Sequence, residues 1–203
     1  MKEQHDKPQL FVISGANGAG KSSFTQILVP ENTIIINPDI IAEKFNNTQR
    51  ADLHIGLTKS KARENQQNIS IETNFLFEDE INDFLEFKEK GYEINLIFIA
   101  IKDLEESKLR VDTRVSKGGH YVNDYTRELN FKIGKENTIN LSNRFDRVTV
   151  ISNSYDFQDN LLYAEKGKIL YYNKEAPIWA KNLINDFDKG LNNDINFSTG
   201  YKR

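Results

Sequence analysis

The chain has 203 residues, with 27 lysines and arginines against 30 aspartates and glutamates, and its net charge of -3 is spread without a basic block, so nucleic acid is not expected as a partner. It contains no cysteine, which excludes disulfides, thiolate metal sites and a cysteine nucleophile and fits a reducing, cytoplasmic setting. No apolar run approaches the roughly 20 residues of a membrane helix, and the polar stretch Met1–Pro8 lacks the apolar centre of a signal peptide, so one soluble domain is expected from this length.

Leu10-Phe11-Val12-Ile13-Ser14 is a continuous apolar run of the kind a strand covered on both faces needs. It leads into Gly15-Ala16-Asn17-Gly18-Ala19-Gly20-Lys21-Ser22, which satisfies G-x-x-x-x-G-K-[ST] at every fixed position, and a helix is predicted over Ser22–Leu28. Strand, glycine loop and helix aim consecutive backbone N–H groups and the positive end of a helix dipole at one phosphate chain. A nucleotide is therefore expected on Gly15 through Ser23, with Lys21 reaching the β- and γ-phosphates and Ser22 offering its hydroxyl to Mg²⁺. An ordinary glycine-rich turn between a core strand and a surface helix is the structural alternative.

Ile34–Ile36 reads as the second strand, closed by Asn37-Pro38-Asp39, and a helix follows to Phe45. A polar helix is predicted over Arg50–Gln67, a strand over Ile69–Thr73, and a helix over Glu78–Lys90 that Gly91 stops at the C′ position. Tyr92–Ile101 holds the most apolar strand, which should be central. Helices over Asp103–Lys117 and Asp124–Leu141 are separated by Gly118-Gly119, and Val148–Ile151 is the last parallel strand. Leu161–Ala164 and Ile169–Tyr172 flank Glu165-Lys166-Gly167-Lys168 as a β-hairpin, followed by a helix over Pro177–Asp188 and a loose tail from Gly190. The alternation predicts an α/β, P-loop NTPase three-layer sandwich: a mostly parallel central sheet, a helical lid and a C-terminal hairpin plus helix. Its core spans about residues 9–154, and the hairpin and helix span about 160–189.

Phosphoryl transfer needs a metal, positive charge on the migrating group and a group that holds or deprotonates the acceptor. Ligands of parallel sheets bind beyond the carboxyl ends of strands, where Asp39, Glu72 and Asp103 fall. Asp39 can face the γ-phosphate as general base toward an acceptor hydroxyl, or cap the helix after it. Glu72 leaves its strand toward the same edge, while Asp103 reads as a helix cap. Arg110 and Arg114, four apart on one helix, share a face beside the glycine pair, the arrangement of a mobile lid over phosphates, and Arg127 lies on the next helix. Each arginine can hold phosphate oxygens in a bidentate manner or form a surface ion pair. His120 after the glycine pair is a substrate-contact candidate; His5 and His54 read as solvated. No histidine pair has metal-ligand spacing, so the only metal expected is Mg²⁺ brought with nucleotide.

In order, the glycine loop, Asn37-Pro38-Asp39, Glu72-Thr73-Asn74-Phe75, Arg110 with Arg114, Gly118-Gly119-His120, Arg127 and Asn153-Ser154 resemble the zeta-toxin family of P-loop kinases over about Phe11 to Ser154. The resemblance implies ATP and Mg²⁺ as cofactors and Asp39 as base on a sugar hydroxyl. It places Glu72 and Thr73 toward the substrate or metal network and Arg114 and Arg127 on the transferring phosphate; Arg110 is a substrate-binding candidate beside them, and His120 is either that or a loop histidine that caps a neighbour. It further implies a small-molecule acceptor, UDP-N-acetylglucosamine phosphorylated on its 3′-hydroxyl in that family, and a separate antitoxin protein as partner. The chain departs from the family in Glu72-Thr73-Asn74 for Glu-Thr-Thr, in Ser152-Asn153-Ser154 for Asp-Asn-Ser, and in lacking the Arg-x-x-His-Pro element after Asp39, so the acceptor stays open. A nucleotide-dependent switch or ATPase acting through a protein partner is the competing class, although neither Asn-Lys-x-Asp nor Leu-Ser-Gly-Gly-Gln is present.

Overall fold

The structure, a computed structural model, describes residues 7–119 and 121–193. Strands β1 (Gln9–Ser14), β2 (Ile34–Ile36), β3 (Ile69–Thr73), β4 (Glu93–Ala100) and β5 (Arg147–Asn153) pair in parallel, and β6 (Gln158–Glu165) and β7 (Lys168–Tyr172) return antiparallel. One sheet results, in the order β2-β3-β1-β4-β5-β6-β7. The expected hairpin and the central place of the most apolar strand are both present.

Alternation along the strands feeds two cores. Leu10, Val12, Ile94, Leu96 and Phe98 face one side, where Phe84 and Phe87 of α4 (Glu80–Glu89) and Leu183 and Phe187 of α7 (Ile178–Asn192) cover them. Ile13, Ile97, Ile99 and Ile151 face the other, against Phe24 of α1 (Lys21–Leu28) and Val29. A sheet buried on both faces must be apolar at consecutive positions, which is why β1 and β4 read as unbroken runs. Burying each of Phe75, Phe84, Phe87 and Phe187 contributes about 1.5–3 kcal/mol.

Helix boundaries follow their caps. Asn37 caps α2 (Pro38–Phe45), its Oδ1 accepting from Ile40 N–H at 3.1 Å. Asp103 caps α5 (Leu104–Ser116) by accepting from Glu106 N–H at 2.9 Å, as its sequence position suggests. Gly91, with φ 87, stops α4 as expected. Helix α3 spans Thr48–Glu64. The last helix, α7, runs four residues past its expected end, so the predicted tail begins in helix; the rest of that tail, His5 and His120 lie outside the described residues.

Helix α6 (Asp124–Asn140) follows the glycine pair as predicted, and residues 130–138 of it meet the strand ends and loop that carry the site. Thr138 and Ser14 share a buried hydroxyl–hydroxyl hydrogen bond of 2.8 Å. Gly134 lies so close to the turn after β3 that a Cβ there would sit 2.0 Å from the Asn74 carbonyl oxygen. Asn137 donates its amide to the carbonyls of Phe75 and Leu76 at 3.1 and 2.9 Å. These contacts hold Phe75, fully buried, in the left-handed region at φ 52.

Candidate active site

The glycine loop leaves β1 between β3 and β4, where the strand order reverses and parallel sheets open a crevice. Gly20, at φ 96, turns the chain into α1, and a Cβ on it would come within 2.8 Å of the Asn153 amide nitrogen, so only glycine fits. Three other elements hold the loop. Ser107 Oγ of α5 donates to the Asn17 carbonyl at 2.7 Å, Asn130 Nδ2 of α6 to Asn17 Oδ1 at 2.7 Å, and Asn153 Nδ2 at the end of β5 to the Ala19 carbonyl at 2.9 Å. A loop fixed this way presents its N–H groups without reorganisation.

Lys21 Nζ donates to the carbonyls of Gly15 at 2.8 Å and Ala16 at 3.2 Å, and to Asn74 Oδ1 at 2.7 Å. Burial pulls its pKa down to about 8, although the Asp39 and Glu72 carboxylates push it up; nearby Arg114 adds to the lowering.

Glu72, at the end of β3 and 5% exposed, gathers the opposite charge. Its Oε2 accepts from Ser22 Oγ at 2.8 Å and Asn37 Nδ2 at 2.8 Å, and its Oε1 from Thr25 Oγ1 at 3.0 Å. A serine hydroxyl against a buried carboxylate is a hard-oxygen donor pair that fits Mg²⁺ completed by phosphate oxygens. Asn37, by capping α2, releases Asp39 from the capping role that its sequence position left open. The Asp39 carboxylate is solvent-exposed on the first turn of α2.

Two cavities meet at these residues. One, of about 410 Å³, is lined by Asn17, Gly18, Gly20, Lys21, Ser22 and Ser23 with Arg110 and Arg114. The second, of about 250 Å³, is lined by Thr73, Asn74, Leu76, Phe77, Glu80 and Asn130. Lys21, Asn37, Asp39 and Glu72 belong to both, so Asp39 stands where the two join.

The remaining candidates are placed as follows. Arg114 lines the loop-side cavity together with Asp39. Arg110, expected near the acceptor, lines that same loop-side cavity and not the second one. Its guanidinium is tied to Glu106 at 2.7 Å and to the Asn153 carbonyl, and stacks 4.2 Å from the Tyr155 ring centroid. Arg127 lines neither cavity: it is 2% exposed and bonded to Asp112 at 2.7 Å, to Asp124 at 3.4 Å and to the Val122 carbonyl. Thr73 lines the second cavity, but its hydroxyl is donated to Glu80 Oε2 at 2.6 Å and accepts from Phe75 N–H at 2.7 Å. Sequence reading missed the partners that hold these groups: Asn74 on Lys21, Asn130 on Asn17, and Glu106, whose buried carboxylate takes Ser154 Oγ–H and Tyr155 N–H. Asn74 stands where the chain departs from the family pattern; nothing local marked Asn130.

The profile of the zeta toxin family matches residues 55–176, more than half of the chain. The chain belongs to the zeta toxin family. The match begins after the glycine loop and Asp39, so those elements stand on their own pattern and geometry. A search among curated proteins finds no match. Among solved structures, this zeta toxin family member is similar to a chain of the PezAT chromosomal toxin–antitoxin system of Streptococcus pneumoniae, with 21% identity and TM-score 0.61 over 93% of this chain and 81% of that one. It is also similar to a chain of the AvrRxo1-ORF1:AvrRxo1-ORF2 complex with ATP, with 14% identity and TM-score 0.68 over 93% of this chain and 65% of that one. A chain of the Pnkp1/Rnl/Hen1 RNA repair complex matches at 18% identity and TM-score 0.56 over 68% of this chain and 47% of that one. At these identities the likeness is one of fold. No described helix is long and apolar enough to cross a membrane.

Proposed function

We propose that the protein is a kinase that transfers the γ-phosphate of ATP to a hydroxyl of a small-molecule acceptor, with Asp39 as general base. The observation that carries this reading is the position of Asp39 where the loop-side cavity and the second cavity join, its capping role taken over by Asn37. ATP lies along Gly15 to Ser23, its phosphates on the loop N–H groups and the α1 N-terminus. Ser22 and Glu72 would hold Mg²⁺, which neutralises phosphate charge when bound.

The acceptor hydroxyl gives its proton to Asp39 as its oxygen bonds the γ-phosphorus; the bond to the β–γ bridging oxygen breaks, and ADP leaves with that electron pair. Being exposed, Asp39 then returns the proton to water. Arg114 covers the migrating group, its guanidinium set against the phosphate oxygens. Arg127 supports that arrangement through Asp112, two positions before Arg114; direct contact with phosphate requires it to exchange this ion pair. The fold likeness to a toxin–antitoxin chain supports a separate antitoxin as partner.

Asp39→Ala is expected to lower kcat by about 10²–10⁴-fold while ATP binding, followed by calorimetry, is unchanged. A variant that turns over normally removes Asp39 from the role of base. Inorganic phosphate as the sole product, with every acceptor, would mark an ATPase or switch instead.

A further inference from the structure

Three successive carbonyls of the glycine loop are held from outside it. Those of Asn17, Gly18 and Ala19 accept from Ser107 Oγ at 2.7 Å, from Arg110 Nη1 at 3.5 Å and from Asn153 Nδ2 at 2.9 Å. In a trans peptide the C=O and the next N–H point opposite ways, so these anchors turn the N–H groups of Gly18, Ala19 and Gly20 away from the side chains that hold the loop. Ala19 gives its N–H to the Ala16 carbonyl at 3.1 Å. The N–H groups of Gly18 and Gly20 have no partner among the described residues, and both glycines line the loop-side cavity, as an anion-binding nest requires.

A buried ion pair secures two of these anchors. The Glu106 carboxylate accepts from Arg110 Nη2 at 2.7 Å, from Tyr155 N–H at 2.9 Å, from Lys102 N–H at 3.3 Å and from the Ser154 hydroxyl. Arg110 spends its other Nη2 hydrogen on the Asn153 carbonyl. Glu106 thereby fixes Arg110 against Gly18 and, through residues 153–155, the amide that holds Ala19. With Nη2 fully used and Nε buried, Arg110 keeps no adjacent pair of N–H groups for a bidentate grip on phosphate.

Resting on the nucleotide site of the kinase reading above, we propose that Glu106 and Arg110 are positioning residues. As a unit they set the loop N–H groups for the nucleotide's phosphates, and Arg110 acts through the loop instead of as a cation on phosphate. The test measures the dissociation constant of inorganic tripolyphosphate for the metal-free full chain by calorimetry, beside phosphate transfer from ATP and Mg²⁺ to UDP-N-acetylglucosamine. If Arg110 met phosphate as a charge, Glu106→Gln would release that charge and tighten binding; positioning demands the opposite sign. Glu106→Gln is expected to weaken tripolyphosphate about tenfold or more, and to raise KM for ATP with kcat at saturation little changed. Because the pair acts as one unit, Glu106→Gln/Arg110→Met should bind no more weakly than Arg110→Met alone. Asn153→Ala, which cuts only the last link to Ala19, should reproduce the loss even where the ion-pair variants fail to fold. Unchanged or tighter tripolyphosphate binding in Glu106→Gln or Asn153→Ala, or additive losses in the double variant, overturns the proposal, while phosphorylated acceptor from the wild type still upholds the kinase reading. Inorganic phosphate as the wild type's sole product overturns the kinase reading, and the tripolyphosphate series still decides for or against the positioning role.

Discussion

Lys21 is held in a setting that disfavours its own charge, and that has a measurable consequence. Its pKa of about 8 in the folded chain lies below the ordinary 10.5, so between these values the unfolded chain binds the extra proton and stability rises with pH. Below pH 8 the full cost is present, on the order of 3 kcal/mol; it fades as pH climbs toward 10.5. Lys21→Met is therefore expected to raise the melting temperature at pH 7 while abolishing nucleotide binding, and the gain should shrink steadily above pH 8. A thermal-unfolding series against pH checks both. The expectation that Lys21 meets phosphate was legible because the whole signal is contiguous, eight residues between a strand and a helix. Its attachment to Asn74 was not, since the two are 53 positions apart and an asparagine after a strand has no pattern of its own. The role of Asp39 lay between these cases: the sequence left base and cap both open, and the Asn37 side chain takes the cap instead.

At the scale of elements, strands were the easiest to read, because burial on both faces writes an apolar run directly into β1 and β4, and two apolar runs flanking Lys166-Gly167 mark the hairpin. Helix α6 was harder. Its buried side includes Arg127, Asn130, Gly134, Asn137 and Thr138, polar or small residues that no hydrophobic period reveals; they are buried because each meets a specific partner in the end of β1, the glycine loop, the β3 turn or α5. Gly134→Ala is expected to destabilise the fold by about 1–3 kcal/mol, since the new methyl must push the Asn74 turn away. Asn137→Ala should cost a similar amount by leaving the Phe75 and Leu76 carbonyls without their amide donor. Chemical denaturation measures both. The two should also weaken catalysis more than ATP binding, because the displaced turn lines the second cavity.

For the molecule as a whole, the sheet order brings the ends of β1, β3 and β5 to one edge, and ligand and stability are linked there. ATP with Mg²⁺ is expected to stabilise the fold by about 2.7 kcal/mol at a hundredfold excess over its dissociation constant. Chelating the metal should remove most of that gain in wild type, and Ser22→Ala should be nearly insensitive to chelation; differential scanning fluorimetry reads the difference. Induced expression should arrest growth if the protein acts as a toxin, with Lys21→Ala relieving the arrest. The ammonium of Lys21 also sets a sequence of events. Having three hydrogens and three present partners, it can greet an arriving triphosphate only by letting go of one of them. Surrendering Asn74 frees an amide beside the second cavity, so the acceptor's seat is finished by the nucleotide itself. Turnover should accordingly follow a compulsory order, ATP first, visible as acceptor binding that tightens when a non-hydrolysable ATP analogue is already in place.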